Sequence, residues 1–226
     1  MKLVIFDCDG TLVDSQHNIA AALTYAFNAQ ALTAPSVPEM LSIVGLSLPE
    51  TFRVLAAAHS PVVQASLVEH YREAFAAGRL ERRHEEPLYP GITGILSALA
   101  GRDDVRLGIA TGKSRRGVAR ILDREGWHSH FHTLQTADDH PSKPHPSMIL
   151  KAMQETGVGV EATVMVGDTA FDMAMARSAG VGAIGVAWGY HSTERLAEAG
   201  AHTIVTDASH LLDTIFAQIE NQGSGR

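Results

Sequence analysis

Four apolar residues, Leu3-Val4-Ile5-Phe6, stop abruptly at Asp7-Cys8-Asp9-Gly10-Thr11. The run is branched and aromatic and does not alternate with polar residues, which predicts a strand covered on both faces, as in a parallel sheet. Its carboxyl end is where open α/β sheets carry their ligand crevices. If the strand continues for two residues, Asp7 and Asp9 point to one side, because side chains alternate with period two. Gly10 allows a sharp turn, and Thr11 adds a hydroxyl to the same loop. A polar turn after a core strand would account for one aspartate. It accounts poorly for Asp-Cys-Asp-Gly-Thr with Asp14-Ser15 close behind.

Beyond Asp14 the chain divides in two. Residues 15–87 contain helical patterns but no strand candidate: about 18–31, a short helix over 39–44, one starting near Pro49 and running to about His59, and one from Pro61 that Gly78 ends. Residues 79–87 are polar and read as a return linker. From Leu88 the rhythm becomes strand, loop, helix. Strands are expected over 106–110, 131–136, 163–166, 183–186 and 203–205, with helices up to Gly101 and over 115–125, 146–156, 169–179, 193–199 and 208–220. Residues 221–226 are expected to be disordered. Alternation of this kind predicts an α/β fold, a three-layer Rossmann-like core with a parallel sheet. The helical block reads as an insertion.

The chain has 226 residues, 45% hydrophobic and 19% charged, enough for a core domain and a smaller one. Acids outnumber bases 25 to 18, and the net charge of −7 argues against a nucleic-acid or anionic-membrane partner. The single Cys8 allows no internal disulfide. With no apolar run of membrane-spanning length and no leader, a soluble cytoplasmic protein is expected. Cys8 itself is expected in the core.

The unusual polar residues fall at the expected strand ends. Thr111-Gly112-Lys113-Ser114 comes after a strand and precedes a helix, and such a loop can offer N–H groups and a hydroxyl to a phosphate. Gly108 to Ser114 falls one residue short of an NTPase phosphate-binding loop, which needs four residues between its glycines. Lys143 sits in Ser142-Lys143-Pro144-His145-Pro146, where Pro144 restricts its backbone. Gly167-Asp168-Thr169-Ala170-Phe171-Asp172 closes another apolar run, and either acid could cap the next helix. Convergence of Asp7, Asp9, Asp168 and Asp172 would place carboxylates close enough to repel unless a cation neutralises them. Oxygen ligands of this kind suit Mg²⁺. With Lys143 and the Thr111 loop, they would make a site for a phosphoryl group, with an aspartate able to act as nucleophile.

This ordered set of motifs resembles the haloacid dehalogenase superfamily, in the branch with a helical cap, and is most similar to phosphoglycolate-phosphatase-like members. The resemblance covers essentially the whole chain. It implies a catalytic core of residues 1–14 and 88–226 and a cap of residues 15–87. It implies Asp7 as nucleophile and Mg²⁺ ligand, and Asp9 as general acid and base that binds the metal through its carbonyl. Thr111, Gly112 and Gly10 would bind the phosphoryl group, Lys143 would balance charge, Asp168 would ligate the metal, and Asp172 would support the site. The activity implied is Mg²⁺-dependent hydrolysis of a small phosphorylated metabolite, by a monomer or weak homodimer. A β-phosphoglucomutase-type phosphomutase is the alternative within that chemistry, and a non-catalytic protein with the same fold is the alternative outside it. Asp9 and the second acidic pair argue against a metal-free dehalogenase.

Substrate choice is expected to rest on the cap loop 43–49, which carries no charged residue; Arg53, Arg72 or Arg115 could compensate, although a surface role is the expectation for any one of them. His128, His130 and His132 recur at period two, but no acid or cysteine completes a metal site, so surface exposure is the expectation.

Overall fold

The computed structural model describes residues 1–75 and 86–224. Six parallel strands form one sheet: β1 (Lys2–Phe6), β2 (Val105–Thr111), β3 (Phe131–Thr136), β4 (Thr163–Gly167), β5 (Gly182–Val186) and β6 (Thr203–Val205). Their order is β3-β2-β1-β4-β5-β6. β1 lies between β2 and β4, where the order reverses, which is the position that opens a crevice at the carboxyl ends. Its register pairs Phe6 with Ile109 on one side and Val166 on the other. The residues after all three strands are thereby brought level.

The apolar first strand feeds both faces. Val4 and Phe6 pack with helices α5 (Ile92–Ala100), α6 (Arg115–Glu125) and α10 (Leu211–Ser224). Leu3 and Ile5 pack with α7 (Ser147–Thr156), α8 (Ala170–Ala179) and α9 (Thr193–Glu198). These are the two outer layers of a three-layer core. Cys8 is buried in the first of them, as expected.

A helical block intervenes after β1: α1 (Gln16–Ala29), α2 (Val37–Leu41), α3 (Leu48–Leu55) and α4 (Pro61–Phe75). It has an apolar cluster of its own, with Leu23, Phe27, Phe52 and Leu67 at its centre. Phe52 lies 6.1 Å from the Phe27 ring and 6.2 Å from that of Tyr71, within the range of favourable aromatic pairs. The chain leaves and returns side by side, since Asp14 N donates to Pro87 O at 2.8 Å.

Several boundaries differ from expectation. α2 begins at Val37 rather than Glu39, because Ser36 and Glu39 form a capping box and Pro38 is pre-set for the first turn. α3 stops at Leu55, short of His59. α10 continues to Ser224, which corrects the expected disorder from Asn221; the Gln222 side chain donates to Thr163 O at 3.3 Å and ties the last turn to the sheet. The expected stop at Gly78 and most of the return linker lie outside the described residues. Among the described residues no helix is long and apolar enough to cross a membrane.

Because Phe52 is fully buried at the centre of the helical block, Phe52→Ala is expected to cost about 3–5 kcal/mol of stability. Denaturant unfolding checks this, and a loss below about 1 kcal/mol would show that the block does not depend on this cluster.

Candidate active site

The end of β2 and the loops after β1, β3 and β4 deliver Thr111, Asp7, Lys143 and Asp168 to one place. Asp7 is fixed at the end of β1 by a hydrogen bond from its N–H to Val166 O at 3.0 Å. The Cys8 N–H donates to Asp7 Oδ1 at 2.7 Å. Asp7 Oδ2 faces Lys143 Nζ at 3.0 Å but accepts no well-formed hydrogen bond, leaving a buried carboxylate oxygen with unused lone pairs. Lys143 is itself buried, and Nζ donates to Asp172 Oδ1 at 2.6 Å.

Asp172 also does what its position at a helix start predicts. Its Oδ2 accepts from Thr169 N at 3.0 Å and from Thr169 Oγ1 at 2.6 Å, completing a capping box on α8. The same carboxylate therefore caps the helix and pairs with Lys143. Asp168 is held at both oxygens: Thr11 Oγ1 donates to Oδ1 at 2.8 Å, and Tyr190 N donates to Oδ2 at 2.9 Å. Gly10 is required for that approach. It has φ +86°, and a Cβ there would sit 2.1 Å from Asp168 Oδ2.

Oxygens of Asp7, Asp168 and Asp172 lie within 4.8 Å of one another, all buried, with one lysine between two of them. Burial, opposed by Lys143 and aided by Asp172, pushes Asp7 up to about 6. Burial, then Asp172 and Asp7, pushes Asp168 well above the usual carboxylate range. Burial works against the charge on Lys143, but Asp172 and Asp7 outweigh it and hold the ammonium above its ordinary value. Three oxygen donors, an excess of negative charge and an oxygen lacking a hydrogen bond fit a hard divalent cation.

The Asp9 carboxylate is not part of this trio. Ser15 Oγ and Lys113 Nζ both donate to its Oδ1, the latter at 2.7 Å. Lys113 also lies 3.5 Å from Glu86 Oε1, which accepts from Asn18 at 3.3 Å. Burial opposes the Lys113 charge, while Asp9 and Glu86 outweigh it and raise its pKa. Thr111 and Gly112 complete the floor, and Thr111 Oγ1 accepts from Lys113 N at 3.2 Å. Sequence reasoning places Lys113 in the Thr-Gly-Lys-Ser loop without a role of its own, and it misses Tyr190 and Glu86. The loop position of Lys113 is the available signal; nothing local marks the other two.

The helical block roofs the site. A Cβ on Gly112 would meet Gly45 O at 2.6 Å and Leu46 O at 2.7 Å, so cap and core backbones touch there. Ser47 N donates to Ser142 Oγ at 2.9 Å, and His191 bridges Ala170 N and Ser42 O. Between the two parts lies a cavity of about 530 Å³ that reaches Asp7, Asp9 and Thr111 and is lined by residues 43–49, the expected cap loop. Arg72 lines it too. Arg53 and Arg115 do not: they pair on the surface with Glu50 and Asp139, in keeping with the surface role expected for them. The three histidines also stay apart from any metal-binding cluster among the described residues. His128 pairs with Asp123, and His132 Nδ1 accepts from Leu107 N.

The family model for haloacid dehalogenase-like hydrolases matches residues 4–186, from β1 to the end of β5. The chain belongs to the haloacid dehalogenase-like hydrolases. "Probable phosphatase IndB" of Dickeya dadantii is 34% identical over 226 residues, covering 98% of this chain and 96% of that protein. A phosphoglycolate phosphatase of Photorhabdus laumondii is 31% identical, covering 95% and 92%. A solved structure described as a predicted phosphatase from Clostridium acetobutylicum superposes with a TM-score of 0.84 at 27% identity, covering 96% and 98%. Together these make the haloacid dehalogenase-like chain a phosphoric monoester hydrolase.

Asp7 holds its proton up to about pH 6 in the folded protein and only to about 3.8 when unfolded. Its contribution to stability is therefore complete below about 3.8 and lost as pH rises through about 6. In chelator, the Tm is expected to fall across that window by a component that Asp7→Asn abolishes. An unchanged Tm–pH profile in the variant would remove Asp7 as the source.

Proposed function

We propose that the protein is a Mg²⁺-dependent phosphatase that hydrolyses a small phosphorylated metabolite through an aspartyl-phosphate on Asp7. The observation that carries this reading is the buried meeting of Asp7 with Lys143, Asp168 and Asp172 beneath a cap-covered cavity. Asp7 and Asp168 would hold the cation, with the Asp9 carbonyl as a further ligand and Asp172 beside them. When bound, Mg²⁺ supplies positive charge against the phosphoryl oxygens and offsets repulsion among the carboxylates.

The chain's own residues divide the remaining work. An Asp7 oxygen attacks phosphorus, forming the acyl-phosphate while the ester oxygen leaves. Asp9 gives that oxygen its proton, then accepts one from the water that attacks the acyl-phosphate, releasing inorganic phosphate and restoring Asp7. Asp9 Oδ1 is held by Ser15 and Lys113, which leaves Oδ2 to carry the proton. Thr111 and the Gly112 amide bind phosphoryl oxygens, and Lys143 balances the charge on Asp7 and the phosphoryl group. The Gly10 N–H donates to Val13 O at 2.9 Å, so Gly10 serves the turn beside Asp168 rather than the phosphoryl group, which corrects the expectation for it.

We take residues 1–14 and 88–226 as the catalytic core and 15–87 as the cap, supported by the Asp14–Pro87 backbone pairing and by the separate apolar cluster of the helices. A small substrate is supported by the cavity's size and by the substrate named for the Photorhabdus relative. Action in the cytoplasm, as a monomer or weak homodimer, is part of the same proposal.

Phosphate release from a panel of phosphate esters is expected to require Mg²⁺, to stop in EDTA and to return on adding Mg²⁺. Asp7→Asn is expected to abolish it with the circular dichroism spectrum unchanged, and a fully active variant would overturn the mechanism. Asp9→Asn is expected to lower kcat by about 10²–10⁴. Acid quenching during turnover should trap one phosphoryl group on the Asp7 peptide by mass spectrometry.

A further inference from the structure

The cavity has two unlike walls. The cap loop contributes Ile43, Val44, Leu46 and Leu48 and no charge, whereas α6 and the turn before it contribute Lys113, Arg116 and Arg120. Positions 116 and 120 are one helical turn apart and so share a face of α6. The rise is about 1.5 Å per residue, so Arg120 stands about 6 Å beyond Arg116 along the helix, away from the Thr111 loop. The basic stripe therefore begins beside Asp9 and extends outward from the reacting centre.

Two of the flanking cations already have acidic partners. Lys113 is engaged by Asp9 and Glu86, and Arg115, on the outer side, by Asp139. Arg116 has no ion-pair partner among the described residues, and Arg120 packs against the Phe75 ring, 5.9 Å from its guanidinium carbon. The third acid on the cavity wall, Asp138, accepts a hydrogen bond from Arg115 N at 2.8 Å. Arg72 reaches the same cavity from the cap, but its Nη1 already pairs with Glu69 at 2.6 Å. In a chain of net charge −7, solvent-exposed arginines gathered at one open cavity suit an anionic ligand. Guanidinium groups match carboxylate and phosphate oxygens in a bidentate manner.

We propose that Arg116 and Arg120 bind a second anionic group, carboxylate or phosphate, at the far end of the phosphate-ester substrate, while the apolar cap loop covers its carbon chain. This deepens the phosphatase reading and rests on it. It assigns substrate discrimination to a core helix rather than to the cap loop alone. A hydrogen-bonded contact to a charged group contributes roughly 1.5–3 kcal/mol, which corresponds to about 10- to 100-fold in binding.

The test compares two matched pairs: 3-phosphoglycerate with glycerol 3-phosphate, and fructose 1,6-bisphosphate with fructose 6-phosphate. In the wild type, kcat/KM for the member with the second anion is expected to exceed that of its partner by at least about tenfold in one pair, mainly through KM. Whichever pair responds identifies the anion as carboxylate or phosphate. The double variant Arg116→Ala/Arg120→Ala is expected to bring that ratio to near one, and Arg→Lys at both positions to restore part of it. Ratios near one for both pairs in the wild type, or a preference unaltered by the double variant, would overturn the proposal. If no compound is hydrolysed, the phosphatase reading itself has failed. Calorimetric titration with fructose 1,6-bisphosphate and 3-phosphoglycerate then decides: tighter binding by the wild type than by the double variant supports the site, and equal or absent binding overturns it.

Discussion

Three carboxylates are buried together, two of them against one lysine, and much of the structure serves to hold them there. Isolated charges cost several kcal/mol each to remove from water, so such a cluster persists only if every group is anchored by something else. Asp7 is anchored by its place in the sheet, Asp172 by its helix cap, and Asp168 by Thr11 and Tyr190. These partners come from the loop after β1, the start of α8 and the segment after β5, and no single loop could supply them all. The fold acts as the counterweight to a repulsion that chemistry requires.

The same requirement accounts for the cap. A site that concentrates charge works best where water is limited, because electrostatic interactions weaken in a high dielectric. The helices inserted after Asp14 bring an independent apolar cluster and lower the 43–49 loop onto Gly112. Asn18 and Glu86, at the beginning and end of the inserted block, meet each other, Glu86 meets Lys113, and Lys113 meets Asp9. The carboxylate proposed to move protons is thus linked, through one lysine, to both connections between cap and core.

Much of the site was legible because its residues fall where sequence periodicity marks strand ends. Leu3–Phe6 announces a buried strand, and Asp7 is its next residue; Val164–Val166 does the same for Asp168. Asp172 could be read equally as a cap or as a site residue, and it is both, since its two oxygens serve different partners. Which arginines line the cavity was not legible, for a definite reason. A helix beginning after Thr111 places Arg115 and Arg116 on different faces, and without the helix's orientation neither face can be called inward. Arg115 turns to Asp139 outside, while Arg116 lines the cavity.

By itself, the sequence determined the α/β core and the helical block, and marked Asp7, Thr111, Lys143 and Asp168 as candidates, because period, turn residues and strand-end acids are local signals. Only the tertiary structure decided that Asp9 belongs with Ser15 and Lys113 rather than with the buried trio, that Tyr190 orients Asp168, and which arginines face the cavity. Those outcomes depend on strand order, register and the seating of cap on core. Each joins residues far apart in the chain, whose proximity no local pattern encodes.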